Sequence, residues 1–336
     1  MCIIIYNNLY IFIIFNYTLY VEYFDYKVLV SWFKFIIKKT SSIMMFIFYY
    51  YLKLLILKCK HFSTASETLR GESFNFNAFY KQHHYIDPSW LQWFIGFAEG
   101  DGAFLKNKHD NISFVITQNE SKVLYHIKEI LGFGKVTFDL KANTYRYKVL
   151  DRSSLFKLAL LFNGNLFLLH RINQLGEWIR ILNSKSYSIA FNKINISITL
   201  NDAWLSGFTD AEGCFNVSIY LEPRYKLGFK PRVRFLLDQN DKLALSIIRD
   251  LFNTGYVSKR SDNLTTFRYT ADGYTKLGPI LSYFKLFPLK TIKYQAFIKW
   301  SEINSLILAK QHLDEKGLAK IKLLAKLVND KSDINP

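Results

Sequence analysis

Trp93-Phe94-Ile95-Gly96-Phe97-Ala98-Glu99-Gly100-Asp101-Gly102-Ala103-Phe104 aligns without a gap on Trp204-Leu205-Ser206-Gly207-Phe208-Thr209-Asp210-Ala211-Glu212-Gly213-Cys214-Phe215. The offset is 111 (212 − 101), and a duplicated chain has to be read as two copies of one unit. Downstream, Phe114-Val115-Ile116-Thr117-Gln118-Asn119 matches Phe235-Leu236-Leu237-Asp238-Gln239-Asn240 at an offset of 121 (239 − 118). The second copy therefore carries about ten extra residues, which fall at 221–230, where Glu222, Pro223, Arg224 and Gly228 read as an enlarged hairpin loop. Gly134 pairs with Gly255, Arg146 with Arg268 and Trp178 with Trp300. The repeats are expected over 86–182 and 201–310, with a polar linker at 183–200, a leader at 1–85 and a helical tail at 311–336.

Within each unit the hydrophobic period changes in a fixed order. Residues 88–99 have helical spacing, and after the glycine the pattern becomes alternation, clearest where Phe215, Val217 and Ile219 interleave with Asn216, Ser218 and Tyr220. A second strand follows, with Val233, Phe235 and Leu237 against Arg232 and Arg234, then a helix over 241–252, a strand pair containing Arg268, and a closing helix near 294–308. The unit reads as helix, two strands, helix, two strands, helix, which makes the fold class α+β. The opening strand of the first unit is less regular, since Lys106 and Lys108 share parity with Phe104.

One acid followed by glycine at a helix end has an ordinary explanation, because glycine commonly terminates helices. The doubled pattern asks for more. Gly96 with Gly100, and Gly207 with Ala211, put small residues four apart, which lets two helix backbones approach closely. Side by side, these helices would bring Asp101 and Glu212 to one site. Two adjacent carboxylates repel unless a cation sits between them, and hard oxygen ligands favour Mg²⁺ over zinc. Bound metal there could activate a water and stabilise the leaving oxygen of a phosphoryl displacement. Glu99 and Asp210 read as structural acids that bond the partner helix or nearby backbone.

Bulk properties narrow the partner. Lys and Arg number 44 against 27 acids, a formal charge of +17 over 336 residues, which favours a polyanion, nucleic acid before an acidic membrane. With 50% apolar residues the chain is folded rather than disordered. Cys2, Cys59 and Cys214 are too scattered for a disulfide framework or a cysteine-rich zinc site. The stretch 1–60 is rich in Ile, Phe, Tyr and Leu, and no Arg precedes Arg70, so it is a poor import presequence. Lys53 and the polar residues around Asn7 argue against a spanning helix, and the leader reads as dispensable or poorly ordered.

Gly96-Phe97-Ala98-Glu99-Gly100-Asp101-Gly102 and Gly207-Phe208-Thr209-Asp210-Ala211-Glu212-Gly213 resemble the two signature motifs of the LAGLIDADG homing endonucleases. The Gln-Asn blocks, Pro288-Leu289-Lys290 and the tail residues His312-Leu313-Asp314 with Gly317-Leu318 extend the resemblance over about 86–330, in the monomeric two-motif form. It implies two pseudo-symmetric αββαββα repeats, each with a four-stranded antiparallel saddle over DNA and with signature helices at the repeat interface. It also implies Mg²⁺-dependent cleavage of a long, largely non-palindromic duplex site. Gln118 and Gln239 resemble the family's active-site glutamines. The expected basic residue falls at Ile292, so Lys293 is taken instead, with Lys290 and His170 in reserve; the repeat alignment pairs Lys293 with Arg171. Asn216, Ser218, Arg232, Arg234, Arg146, Lys148 and Arg268 are candidates for contacts to bases or phosphates.

The resemblance and the AT-biased composition together suggest a protein encoded in a fungal mitochondrial intron, monomeric and not membrane-bound. A competing function on the same fold is an RNA maturase acting on its host group I intron, and both acids being present favours the nuclease. A decaying relic, hinted at by Ile292, and a protein tethered through its leader are the other readings.

Overall fold

In the computed structural model, residues 74–194 and 196–329 are described. The first repeat runs α1 (Asn77–Tyr80), the motif helix α2 (Pro88–Asp101), β1 (Gly102–Lys106), β2 (Ile112–Gln118), α3 (Ser121–Leu131), β3 (Lys135–Asp139), β4 (Thr144–Val149), α4 (Arg152–Phe162) and α5 (Leu169–Ser184). The second runs α6 (Trp204–Glu212), β5 (Gly213–Leu221), β6 (Phe229–Gln239), α7 (Lys242–Phe252), β7 (Tyr256–Lys259), β8 (Phe267–Asp272), α8 (Gly278–Leu286) and α9 (Lys293–Leu308). A 3-10 turn (Gln311–Leu313) and α10 (Glu315–Asn329) follow. Each unit thus closes with two helices, one more than the sequence pattern gave. The breaks have local causes: Gly164 turns at a φ of +79° between α4 and α5, and Pro288, which lacks an N–H and restricts the residue before it, separates α8 from α9.

Both sheets are antiparallel, in the orders β1-β2-β4-β3 and β5-β6-β8-β7. Register puts Phe104 opposite Phe114 and Phe114 opposite Val149, all buried. The same row in the second sheet is Phe215, Phe235 and Ala271. Because side chains alternate along a strand, the neighbouring rows face the other way, and there the polar and basic residues lie. Strand β1 ends at Lys106 and Lys108 lies in the turn, which explains the irregular parity of that segment.

The motif helices pack backbone to backbone. A Cβ at Gly96 would collide with the Trp204 carbonyl and come 2.9 Å from Phe208 N; at Gly207 it would collide with the Trp93 carbonyl and come 2.8 Å from Phe97 N. Asp101 and Glu212 are the last residues of these helices, and the following glycines are extended (Gly102 φ −75°, Gly213 φ −86°) rather than left-handed. The helix-terminator explanation therefore does not apply. Glycine is required because the chain turns straight into a strand, so close that a Cβ on Gly102 would meet the Ala98 carbonyl and the Phe114 ring.

Three features differ from the sequence reading. Residues 74–85, placed with the leader, belong to the first repeat: Phe76 and Phe79 are buried, and Asn75 and Asn165 exchange hydrogen bonds of 2.7 and 2.8 Å. The ten inserted residues do not mainly enlarge a loop. They lengthen the hairpin, since β5 and β6 have 9 and 11 residues against 5 and 7 in β1 and β2. Tail helix α10 lies against β5 with Leu318, Ile321, Ala325 and Val328 buried, so the longer arm is supported. Finally, the polar linker is packed: Ile189, Ile196 and Ile198 are buried, and the Asn183 side chain bonds both backbone groups of Ile189 at 2.9 and 3.0 Å. The expectations on residues 1–73 and 330–336 lie outside the described residues. Among the described residues no helix is long and apolar enough to cross a membrane.

Candidate active site and nucleic-acid interface

Glu99 and Asp210, each one turn or less before the terminal acid of its helix, are buried at 0% and 3% exposure. Glu99 accepts from Phe167 N at 3.0 Å, Leu168 N at 2.7 Å and, across the helix pair, Trp204 Nε1 at 2.7 Å. Asp210 accepts from Lys290 N at 2.7 Å, Thr291 Oγ1 at 2.5 Å and, reciprocally, Trp93 Nε1 at 2.8 Å. Each acid thus ties the partner motif helix to the loop that opens the last helix of its own repeat. Burial pushes the Glu99 carboxyl up to about 7 despite these donors, and raises Asp210 as well.

The terminal acids meet beyond these bonds. A Cβ on Gly100 would touch Ala211 and lie 3.2 Å from Glu212 Cγ, so only glycine lets the two helix ends close. Asp101 accepts from Gln118 Nε2. Burial raises its carboxyl, and Lys293 and the Gln118 bond oppose the shift. Glu212 is pushed up to about 7, first by burial and then by the charge of Asp101. The sequence pairing of Gln118 and Gln239 is not matched in contact: Gln239 Oε1 accepts from Asn240 N at 2.7 Å, within its own turn.

Lys293 stands at the N-terminus of α9 and donates to the carbonyls of Ala211 at 2.8 Å and Thr209 at 3.3 Å. Arg171, at the aligned position on α5, donates to the carbonyls of Glu99 at 3.0 Å and Gly100 at 3.2 Å. Both cations satisfy carbonyls left without helical partners at a C-terminus and oppose the negative end of the helix dipole. Burial lowers both, and the surrounding carboxylates oppose the shift. Arg171 was absent from the expected site, although its offset of 122 from Lys293 (293 − 171) was legible. Of the reserves, Lys290 places its ammonium 5.8 Å over the Trp93 ring and His170 is exposed. Ile292 offers its backbone N to Glu120 at 2.9 Å, a bond from the end of β2 to the other repeat.

Among the described residues no group of three or more His, Cys, Asp or Glu could hold a metal by itself. Two carboxylates suit a hard cation that takes its other ligands from water and phosphate.

The seven candidate DNA contacts all lie on the sheet faces opposite the core, half-buried. They do not form one cluster. Asn216, Ser218 and Arg234 come together, with Arg234 Nη2 at 2.6 Å from Asn216 Oδ1 and 2.9 Å from Ser218 Oγ. Arg232 pairs with Asp272, Arg268 with Asp238 and Arg146 with Asp139. Lys148 lies next to Arg146's row, opposite Val115.

A family model described as LAGLIDADG endonuclease matches the chain twice, over residues 94–182 and 205–304. The chain belongs to the LAGLIDADG endonuclease family. Each match begins at a motif helix and takes in the rest of that repeat's sheet, so the two family units coincide with the two structural ones. A Neurospora crassa protein named "Probable intron-encoded endonuclease 4" is 39% identical over 258 residues, 74% of this chain and 46% of that protein. A Schizosaccharomyces pombe protein of cox1 intron 2 is 26% identical over 269 residues, 77% of this chain and 80% of that one. The chain thus spans about half the length of the Neurospora relative and most of the fission yeast one. The LAGLIDADG fold is shared with I-SmaMI, whose structure was solved bound to an uncleaved DNA target in the presence of calcium ions: TM-score 0.58, 19% identity, 73% of this chain and 100% of that one.

Proposed function

We propose that this chain is a site-specific, double-strand DNA endonuclease in which Asp101 and Glu212 jointly hold divalent metal, magnesium in the cell. The observation that carries the reading is the meeting of two half-buried carboxylates at a glycine-packed helix junction flanked by two basic sheets. Burial raises both acids, and the charge of Asp101 raises Glu212 further, so a cation between them favours both being ionised, which fits a site completed by metal and phosphate. The metal, when bound, supplies Lewis acidity and a more acidic water.

The chain's own residues do the rest. Gln118 orients the Asp101 carboxylate, and Lys293 and Arg171 pin the helix ends so that the acids keep their spacing. Asn216, Ser218, Arg232, Arg234 and Arg268 on one sheet, with Arg146 and Lys148 on the other, contact the duplex. With both repeats in one chain, a monomer presents both halves, and because the halves differ in sequence the target is long and non-palindromic. The Neurospora relative's name and the fission yeast relative's intron origin support a protein encoded in a mitochondrial intron.

The test is cleavage of a duplex carrying the intronless junction of the host gene by the full chain, with magnesium or with chelator. Magnesium-dependent cutting of both strands is expected. No cutting, together with tight binding to the intron transcript, would move the function to an RNA maturase.

A further inference from the structure

Carboxylates are out of place on a surface that meets a polyanion, because each repels phosphate and cancels an arginine's counter-charge. The second sheet nonetheless carries two on its exposed face, and both do the same thing. Asp238 on β6 accepts from Nε and Nη2 of Arg268 on β8, each at 2.6 Å, and also from Arg260 Nη1 at 2.6 Å. Asp272 on β8 accepts from Arg232 on β6 through Nε at 3.2 Å and through Nη2. In both pairs the acid takes the Nε–Nη2 edge of the guanidinium; Arg268 makes no further side-chain hydrogen bond among the described residues, and Arg232 is also held by the Tyr220 hydroxyl. Guanidinium is a rigid planar fork, so fixing one edge fixes the direction of the other.

The first sheet lacks acids at the two matching positions. Thr117 stands where Asp238 does, and Leu150 where Asp272 does. Lys135 and Lys148, adjacent on β3 and β4, have no side-chain hydrogen bond among the described residues. Arg146 meets Asp139 through Nη2 at 3.0 Å. An oriented free edge is what two-bond recognition of guanine O6 and N7 in the major groove needs, whereas a mobile ammonium suits phosphate.

We propose that Asp238 and Asp272 are positioning residues that turn Arg268 and Arg232 into guanine readers, so that the target half under the second sheet carries most of the sequence discrimination. This rests on the endonuclease reading above.

The test is selection of bound sequences from a fully randomised duplex pool by the full chain, in calcium, for the wild type, Asp238→Asn, Asp272→Asn and Arg268→Ala. The wild type should enrich a site with guanine at defined positions of one half. Asp238→Asn should lose roughly tenfold of the preference at one or two of them, with affinity for unselected duplex equal or higher. Arg268→Ala should lose the same positions, Asp238→Asn combined with Arg268→Ala no more than either alone, and Asp272→Asn a different set. An unchanged base profile in both acid variants, or a loss spread evenly over all positions, would overturn the proposal. A wild type that enriches no sequence would instead remove the endonuclease reading and this proposal with it.

Discussion

Trp204 gives its indole N–H to Glu99 at 2.7 Å, from one motif helix to the other, and the bond has a twin of 2.8 Å between Trp93 and Asp210. These exchanged bonds sit directly beneath Asp101 and Glu212, so the junction that sets the acids' spacing is built from the acids just before them in sequence. Trp204→Phe should therefore leave a fully buried carboxyl short of a donor and destabilise the fold by about 1–3 kcal/mol, read from denaturant unfolding.

The glycine packing makes a sharper demand. Gly96→Ala or Gly207→Ala would drive a methyl into a backbone carbonyl of the partner helix, and a loss of about 1–3 kcal/mol or more is expected, since neither backbone can yield without moving its helix. Gly100→Ala meets Ala211 nearer the acids. It should cost less stability and more cleavage, with DNA affinity in calcium unchanged.

Stability should fall as pH rises through the weakly acidic range. Glu99 has its carboxyl raised from 4.5 to about 7 in the fold. Below about 4.5 it is protonated folded or unfolded and no penalty exists; between 4.5 and 7 the unfolded chain ionises while the fold holds its proton; above 7 the cost is constant. Its size is on the order of 3 kcal/mol. Glu212 adds to it in the same window and direction. Unfolding of Glu99→Gln, followed from pH 4.5 to 8, should show a shallower decline than the wild type.

Lys293 and Arg171 hold corresponding carbonyls at the two helix ends. Lys293→Met and Arg171→Met should each lower the cleavage rate on the order of tenfold to a hundredfold, with binding in calcium changed much less. If only Lys293 mattered, the two cations would not be equivalent.

The start of the folded unit can be tested by truncation. A chain beginning at residue 86 loses buried Phe76 and Phe79 and should be less stable than one beginning at 74 by about 3–5 kcal/mol for a fully buried Phe. Equal stabilities would return residues 74–85 to the leader.

The duplication, the sheet parity and the two motif acids were legible because each is written locally and twice: a period of two or 3.6, and a glycine at matched positions. What the sequence hid was relational. The Arg171 and Lys293 pair was visible as an offset but had no chemistry until the helix ends came together. Gln239 shares the position of Gln118, yet its oxygen is taken by Asn240 N. The ten-residue insertion carries Pro and Gly, which spell a loop, while its added length goes largely into paired strands that α10 covers. The pairing of Asp238 and Asp272 with arginines is not written along either strand, since nothing along one strand says which cation lies across the ladder.

The most direct measurement is cleavage of one target duplex by the full chain and by Asp101→Asn and Glu212→Gln side by side, with binding in calcium measured on the same duplex. The shared site predicts that each single substitution suppresses cutting of both strands by at least about a thousandfold, as expected when a group that holds the metal is lost, while affinity stays within a few fold. Efficient cutting by either variant would contradict a site built jointly from Asp101 and Glu212.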